Sequence, residues 1–382
     1  MRSNKLEQKE IGIYIHIPFC KKKCYYCDFI SYSNKCDKVE SYIETVIKEL
    51  NTYDLEKYNV TTIYIGGGTP SFIDSKYIVK LIDEIKLKLK NNTTKFENIE
   101  ITIEVNPGTV NEEKLLDYKQ VGINRLSIGL QSTNNEILKE IGRIHTYEEF
   151  LETYNTAINI GFNNINVDLM LGLPSQTIQD LKKSLNDIIE LNSNHISVYS
   201  LILEESTILY QNVEKGLKKL PDEEIERQMY WYVKDTLELN GYEHYEISNF
   251  SKKGKESKHN LNCWEQKEYI GLGAAAHSYL EGKRYSNTEN LEDYIKDFDK
   301  KKLQEVQTKE DMKKEYMLLG LRKVKGVSIL KFKEKFGENP IYLFRKELEK
   351  LVNEELVIID GDAIKLTNKG LDFANLVWEE FV

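Results

Sequence analysis

From Gly12 to about Ser200, short apolar runs alternate with longer amphipathic segments. That alternation is the mark of repeated βα units wound around a parallel sheet. Apolar runs at 12–17, 62–65, 101–105, 125–129, 164–170 and 195–201 predict six strands. The intervening segments at 37–50, 75–90, 111–119, 134–141, 146–160 and 177–191 predict helices, several opening on a Ser, Thr, Asp or Asn that can cap the free amides of a first turn. Right-handed crossovers close such units into a full or partial barrel, here a partial (β/α)6 barrel of the α/β class. Ligands of that architecture sit at the carboxyl ends of the strands, so the residues just beyond each strand carry the functional information.

Beyond the first run lies Tyr14-Ile15-His16-Ile17-Pro18-Phe19-Cys20-Lys21-Lys22-Lys23-Cys24-Tyr25-Tyr26-Cys27. A C-x3-C-x2-C loop can converge three thiolates on an iron–sulfur cluster and leave one coordination position open. A structural zinc ion would require a fourth ligand, for which only His16 and Cys36 are near in sequence. His16 reads instead as a buried, hydrogen-bonded histidine, and Cys36 as a free thiol at a helix start. Clustering of three of the five cysteines argues against a disulfide framework and for a reducing compartment. The three lysines between the first two cysteines read as a solvated loop, with attraction of an acidic electron donor as the functional alternative.

The other strand ends are equally distinctive. Gly66-Gly67-Gly68-Thr69-Pro70 follows the second run and offers backbone groups for close approach, without the Lys of a phosphate-binding P-loop. Glu104 lies near the end of the third run, ahead of Asn106-Pro107-Gly108. Gln131-Ser132 follows the fourth run, Arg143 lies further along, and the fifth contains Asp168 before Gly172-Leu173-Pro174. An acid, an amide, a base and a second acid gathered at one mouth can bind amino, carboxylate and ribose hydroxyl groups together.

A formal charge of −9 gives no field that favours nucleic acid. No run of about 18 apolar residues occurs, and Met1–Glu10 is polar, so a cytoplasmic protein is expected, with peripheral membrane contact left open. Three regions are expected: a barrel core over 1–220, an accessory region over 221–305 beside the barrel opening, and a module over 306–382. The last reads as three helices, a hairpin pivoting at Gly361 and a closing helix from Asn368, which is winged-helix-like. Its balance of acidic and basic residues argues for a lid or docking role and against DNA.

The cysteine loop resembles the hallmark of the radical S-adenosylmethionine enzymes. Together with the Gly66–Pro70 segment, Ile103-Glu104-Val105-Asn106-Pro107, Leu126-Ser127-Ile128-Gly129-Leu130-Gln131-Ser132 and Asp168-Leu169-Met170-Leu171-Gly172-Leu173-Pro174, it resembles the branch related to oxygen-independent coproporphyrinogen III oxidase. The resemblance implies a [4Fe-4S] cluster on Cys20, Cys24 and Cys27, with S-adenosylmethionine chelating the open iron and yielding a 5′-deoxyadenosyl radical on one-electron reduction. It implies Tyr14, Tyr26, Gly67, Gly68, Thr69, Glu104, Gln131, Arg143 and Asp168 as S-adenosylmethionine positions. The decarboxylating oxidases carry a further cysteine where this chain has Phe29, and a longer segment before the loop. Both departures point to the heme chaperones of the same branch. Tyr245-Glu246-Ile247-Ser248-Asn249-Phe250 and His259-Asn260-Leu261-Asn262-Cys263-Trp264 are similar to that group too, although Cys263 replaces the Tyr of its H-N-x-x-Y-W motif. The resemblance makes His259 the heme-ligand candidate, ahead of His277, and implies heme, a heme-accepting protein and a low-potential electron donor as partners. A coproporphyrinogen III dehydrogenase is the competing expectation.

Overall fold

The computed structural model describes residues 8–382 of the chain, so most of the polar segment Met1–Glu10 lies outside the described residues. Six βα units follow one another as expected. They are β1 (Lys9–Ile17), α1 (Val39–Thr52), β2 (Tyr58–Gly67), α2 (Ser75–Lys88), β3 (Glu100–Val105), α3 (Glu112–Val121), β4 (Arg125–Gln131), α4 (Asn135–Glu140), α5 (Tyr147–Ile160), β5 (Ile165–Leu171), α6 (Ile178–Glu190) and β6 (His195–Ser200). Strands β1 to β6 pair in parallel, each with the next.

Strand alternation explains both faces. Ile11, Ile13, Ile15 and Ile17 of β1, Ile63 and Ile65 of β2, and Leu126 and Ile128 of β4 are fully buried, in one core with Tyr42, Ile43, Ile78 and Leu81 of the surrounding helices. The alternate residues Tyr14, Tyr64, Glu104, Ser127 and Asp168 fall on the opposite, inner face of the barrel. Side-chain caps begin most of the helices: Asp74 for α2, Asn111 for α3, Asn134 for α4, and Thr146 and Thr177 in reciprocal capping boxes for α5 and α6.

After β6 the chain forms α7 (Ile208–Glu214), α8 (Glu223–Leu239), β7 (Glu243–Glu246), β8 (Asn249–Ser251), α9 (Lys258–Trp264), β9 (Glu268–Leu272), β10 (His277–Leu280), β11 (Lys283–Ser286) and β12 (Lys302–Val306). These strands extend the same sheet at both ends, giving the order β12-β11-β10-β9-β1-β2-β3-β4-β5-β6-β8-β7. Strand β9 runs parallel to β1, a seventh parallel strand that the sequence pattern did not announce. The region expected beside the barrel opening thus builds both flanks of the sheet, and α9 contacts its amino-terminal end: the His259 amide donates to Glu100 Oε1 at the first residue of β3 (3.1 Å).

The carboxyl-terminal module has its own core of Met317, Phe332, Leu348, Ile364 and Val377. Its helices Lys309–Gly320, Ile329–Phe336 and Arg345–Asn353 precede the hairpin Val357–Asp360 and Ala363–Leu366, with Gly361 at the turn. Three details depart from expectation. A further short helix, Pro340–Leu343, stands ahead of Arg345–Asn353. A short strand, Val327–Ser328, adds to the hairpin, and the closing helix is split by Phe373 into Asn368–Asp372 and Ala374–Glu379. The module is tied to the barrel by an antiparallel bridge from Lys323 to Glu246, and Arg322 lies 4.4 Å and 4.8 Å from the rings of Trp264 in α9 and Trp378 in the last helix.

Candidate functional site

A cavity of about 540 Å3 opens at the carboxyl ends of the strands, and its wall holds Cys20, Cys24, Cys27, Tyr26, Gly67, Gly68, Thr69, Glu104, Gln131, Arg143 and Asp168. Eleven of the thirteen residues singled out above therefore meet in one place. The wall also holds Tyr64, Asn106, Ser127, Met170 and Tyr199, and its outer part is formed by Phe29, Leu201 and Ile202.

Backbone geometry shapes the cavity base. Strand β1 delivers the cysteine loop, which is pinned by the Cys20 amide donating to Tyr32 O and the Tyr32 amide donating to Pro18 O. Gly68 donates to Ile17 O at 2.9 Å, and a Cβ there would lie 3.0 Å from Cys20 Sγ, Ile17 O and Phe19 O, so any side chain would crowd the cysteine loop. Gly67 has φ of +110°, and a Cβ on it would lie 2.5 Å from the His16 ring. His16 is a buried, fully bonded histidine, as its sequence setting suggested. Its Nε2–H donates to Ile30 O (2.9 Å), which leaves Nδ1 to accept from Tyr14 OH (2.9 Å), and burial holds the ring below its ordinary pKa and so neutral. Tyr14 is absent from the cavity wall; it stacks on Tyr64 and supports the site from beneath. At the end of β4 the pairing register slips between Gly129 and Gln131, and Gln131 adopts φ of 76°. A left-handed backbone at a non-glycine residue beside a ligand cavity is strain held by its surroundings.

Electrostatics separate the groups into two sets. On one side Arg143 donates through Nη1 to Cys24 Sγ (3.6 Å) and through Nη2 to Asn106 Oδ1 (2.9 Å) and Gly129 O, while its buried Nε has no partner. On the other, Glu104 accepts from Tyr64 OH (2.9 Å) and the Gly67 amide (3.1 Å), and Asp168 accepts from Asn166 Nδ2 (2.7 Å) and Ser127 Oγ (3.2 Å). Burial pushes Glu104 up to about 7, with the nearby Asp168 charge adding to the effect, and burial raises Asp168 as well. Two buried carboxyls with no cation in direct contact, in a concave site, are set to receive a cationic ligand with hydroxyl donors.

The thiols fit a metal cluster by the same reasoning. Burial raises Cys20, despite a bond from Thr69 Oγ1 (3.4 Å), and raises Cys27 to about 11, so a positive centre is required to hold them as thiolates. Among the described residues no three His, Cys, Asp or Glu side chains close tightly enough to hold a single ion. Cysteines around an iron–sulfur cluster stand farther apart than ligands around one ion, and these three share one cavity wall.

His259 is elsewhere. It is 6% exposed in α9 at the amino-terminal end of the barrel, its Nδ1 is bonded to Thr62 Oγ1 (2.9 Å), and its ring lies 5.2 Å from that of Tyr64. Burial lowers it to about 4 and keeps it neutral. It contributes nothing to the cavity wall, and Cys263 on the same helix is also shielded, its thiol pushed up to about 11 by burial. His277 is exposed at the start of β10 and also lies outside the wall.

Parallel βα units, a three-cysteine loop after β1 and an acid-lined cavity together define a barrel of the radical S-adenosylmethionine type. The sequence profile described as the Radical SAM superfamily matches residues 14–188, and that of the HemN C-terminal domain matches 307–373. Over its whole length the chain is similar to two proteins named heme chaperone HemW: it is 39% identical to that of Lactococcus lactis subsp. lactis over 98% of both chains, and 40% identical to that of Bacillus subtilis over 97% of this chain and 98% of the relative. This chain belongs to the HemW family. Its fold also matches that of the coproporphyrinogen III oxidase HemN from Escherichia coli, with a TM-score of 0.84 at 23% identity, over 98% of this chain and 90% of the other. The superfamily's [4Fe-4S] cluster and S-adenosylmethionine fit the thiol and carboxyl groups described here; when bound, they supply one-electron cleavage of a sulfonium.

Proposed function

We propose that this chain is a heme chaperone, which seats heme at the barrel mouth and hands it to an acceptor protein. The observation that carries the reading is the apolar rim of the cavity. Phe29 and Ile202 are 64% and 71% exposed, yet both belong to the wall that also holds the three cysteines. Large apolar side chains left open at the edge of a polar cavity mark a docking surface, and a flat, mostly apolar macrocycle is a fitting guest. Phe29 also occupies the position where the decarboxylating oxidases have cysteine. The names of the full-length relatives support the same reading.

Within it, the chain's residues divide the work. Cys20, Cys24 and Cys27 hold the cluster; Gly67, Gly68, Thr69, Glu104, Gln131, Arg143, Asp168 and Tyr26 hold S-adenosylmethionine, with Tyr14 behind them. A low-potential acidic electron donor meets the exposed Lys21 and Lys22, since Lys23 is engaged with Phe29 O (2.9 Å). The protein works in the cytoplasm. His259, the heme ligand that the resemblance implies, lies at the opposite end against Thr62 and Glu100 and would reach heme only if α9 left that seat.

The test is anaerobic cluster reconstitution followed by parallel titration with heme and assay with coproporphyrinogen III. Heme is expected to bind one per chain, roughly tenfold or more weakly in a Phe29→Asp, Ile202→Asp double variant. Unchanged affinity in that variant overturns the mouth as the seat. Stoichiometric formation of protoporphyrinogen IX with consumption of S-adenosylmethionine overturns the chaperone reading itself. Loss of the heme Soret band in His259→Ala, with Phe29→Asp unaffected, transfers the seat to α9.

A further inference from the structure

Below the cavity, inside the barrel, lies a guanidinium that nothing in the function so far uses. Arg125 is the first residue of β4 and only 2% exposed. Strand alternation puts it on the inner face with Ser127 and Gly129, both in the cavity wall. It pairs in register with Thr102, one inward step below Glu104, while Gly129 pairs with Asp168. Arg125 therefore lies beneath both site carboxylates, on the strand between theirs. Among the described residues it makes no ion pair and no side-chain hydrogen bond; its buried Nε is without a partner, as is Thr102 Oγ1 beside it. A wholly buried cation with no direct partner is costly unless its charge acts at a distance.

We propose that Arg125 is a positioning residue whose charge beneath the cavity makes the Glu104–Asp168 pair easier to ionise than burial alone allows and so sets the pH range in which the cavity accepts a cationic ligand. The groups facing it are Tyr64 from β2, Glu104 and, one inward step below Thr102, the buried Glu100 from β3, Asp168 from β5, His195 from β6, Tyr245 from β7 and His259 from α9; Tyr14 and Tyr199 also face Glu104. His195 and His259 are neutral by burial, and the tyrosines are held above their ordinary range, so none of these supplies positive charge. The other buried guanidinium of the site, Arg143, is committed to Cys24, Asn106 and Gly129. Hydrogen bonds from Tyr64 and Gly67 to Glu104 and from Asn166 to Asp168 oppose burial first, and Arg125 is the positive charge that acts with them at both carboxyls. A charge that acts without a direct bond favours the ionised carboxylates while leaving each oxygen, which already accepts one bond, a further lone pair for the ligand.

The experiment follows the Glu104 carboxyl band by infrared spectroscopy against pH, the band being identified by its loss in Glu104→Gln. Arg125→Met, which removes the charge but keeps the bulk, is expected to raise the pH of half-protonation by about one unit or more, whereas Arg125→Lys stays within about half a unit of wild type. In the cluster-reconstituted protein, S-adenosylmethionine binding to Arg125→Met should weaken about tenfold at pH 7 and recover at about pH 9. An unmoved carboxyl titration, equal displacement in Arg125→Lys, or weakening by the same factor at every pH overturns the proposal. If Arg125→Met does not fold, the Lys variant and the wild-type band still decide: a Glu104 that titrates above about pH 9 with Arg125 present contradicts it. The infrared arm is independent of heme, so failure of the chaperone reading leaves it intact.

Discussion

The two ends of the barrel are built from the same strands and the same inward-facing polarity, yet they treat polar groups oppositely. At the floor, Arg125 Nε and Thr102 Oγ1 apart, side chains satisfy one another: His259 with Thr62, its amide with Glu100, and His195 between Asn166 Oδ1 (2.5 Å) and Tyr245 OH (2.7 Å). At the mouth, Glu104, Asp168, Cys20 and Cys27 are buried without a counter-charge in direct contact, and apolar side chains stand open at the edge. Polarity inside a barrel is therefore not itself a sign of a site. The distinguishing property is whether the groups are finished by the protein or left for a guest.

The sharpest way to break that contrast is to remove a group reserved for the guest. Cys24→Ser should lose essentially all cluster iron and visible absorbance while its circular dichroism stays that of a folded barrel; retention of four irons per chain would refute the assignment. A smaller effect of opposite sign is expected at Glu104. Its carboxyl, ordinarily near 4.5, is raised to about 7 by burial, so the folded chain without ligand must carry a buried charge once the pH exceeds that value. Stability falls as pH rises from about 4.5 through 7, and Glu104→Gln should stabilise the ligand-free protein by about 1–2 kcal/mol at pH 8 and by nothing near pH 4.5. Denaturant midpoints at the two pH values measure it, and a loss of stability at pH 8 would contradict the unfinished character of the mouth. The smallest effect belongs to the floor. Thr62→Val strands His259 Nδ1 and should cost about 1 kcal/mol in urea unfolding while S-adenosylmethionine affinity stays within about twofold; a larger change in affinity would mean the two ends are coupled.

Much of this was legible in the chain itself, for a physical reason. The outward positions of the six strands are apolar and most inward ones polar, so Ile13, Ile15 and Ile17 of the run at 12–17 announced their strand, and Glu104 and Asp168 stood out as acids within theirs. The cavity residues that the sequence did not single out as site residues, Tyr64, Asn106, Ser127 and Tyr199, are polar or aromatic residues in or just beyond strands, and alone each resembles an ordinary solvent-facing position. Strand β9 escaped because its neighbour is β1, more than 250 residues earlier, and pairing at that separation leaves no local trace. The placement of His259 was hidden for the same reason. A motif tells which residues travel together, whereas the contact of α9 with Thr62 and Glu100 depends on how the chain returns beneath the barrel.

Arg322, held between Trp264 and Trp378, joins that returning helix to the last helix of the chain, and Lys323 bridges to β7 next to it. The seam that looks natural in sequence, near residue 307 where the HemN C-terminal domain profile begins, therefore differs from the seam in space. Measured by what must be inherited as a unit, the carboxyl-terminal module includes the helix that stoppers the barrel. A chimera joined at 307 would separate a stopper from its clasp, whereas one joined ahead of β7 would carry both across together.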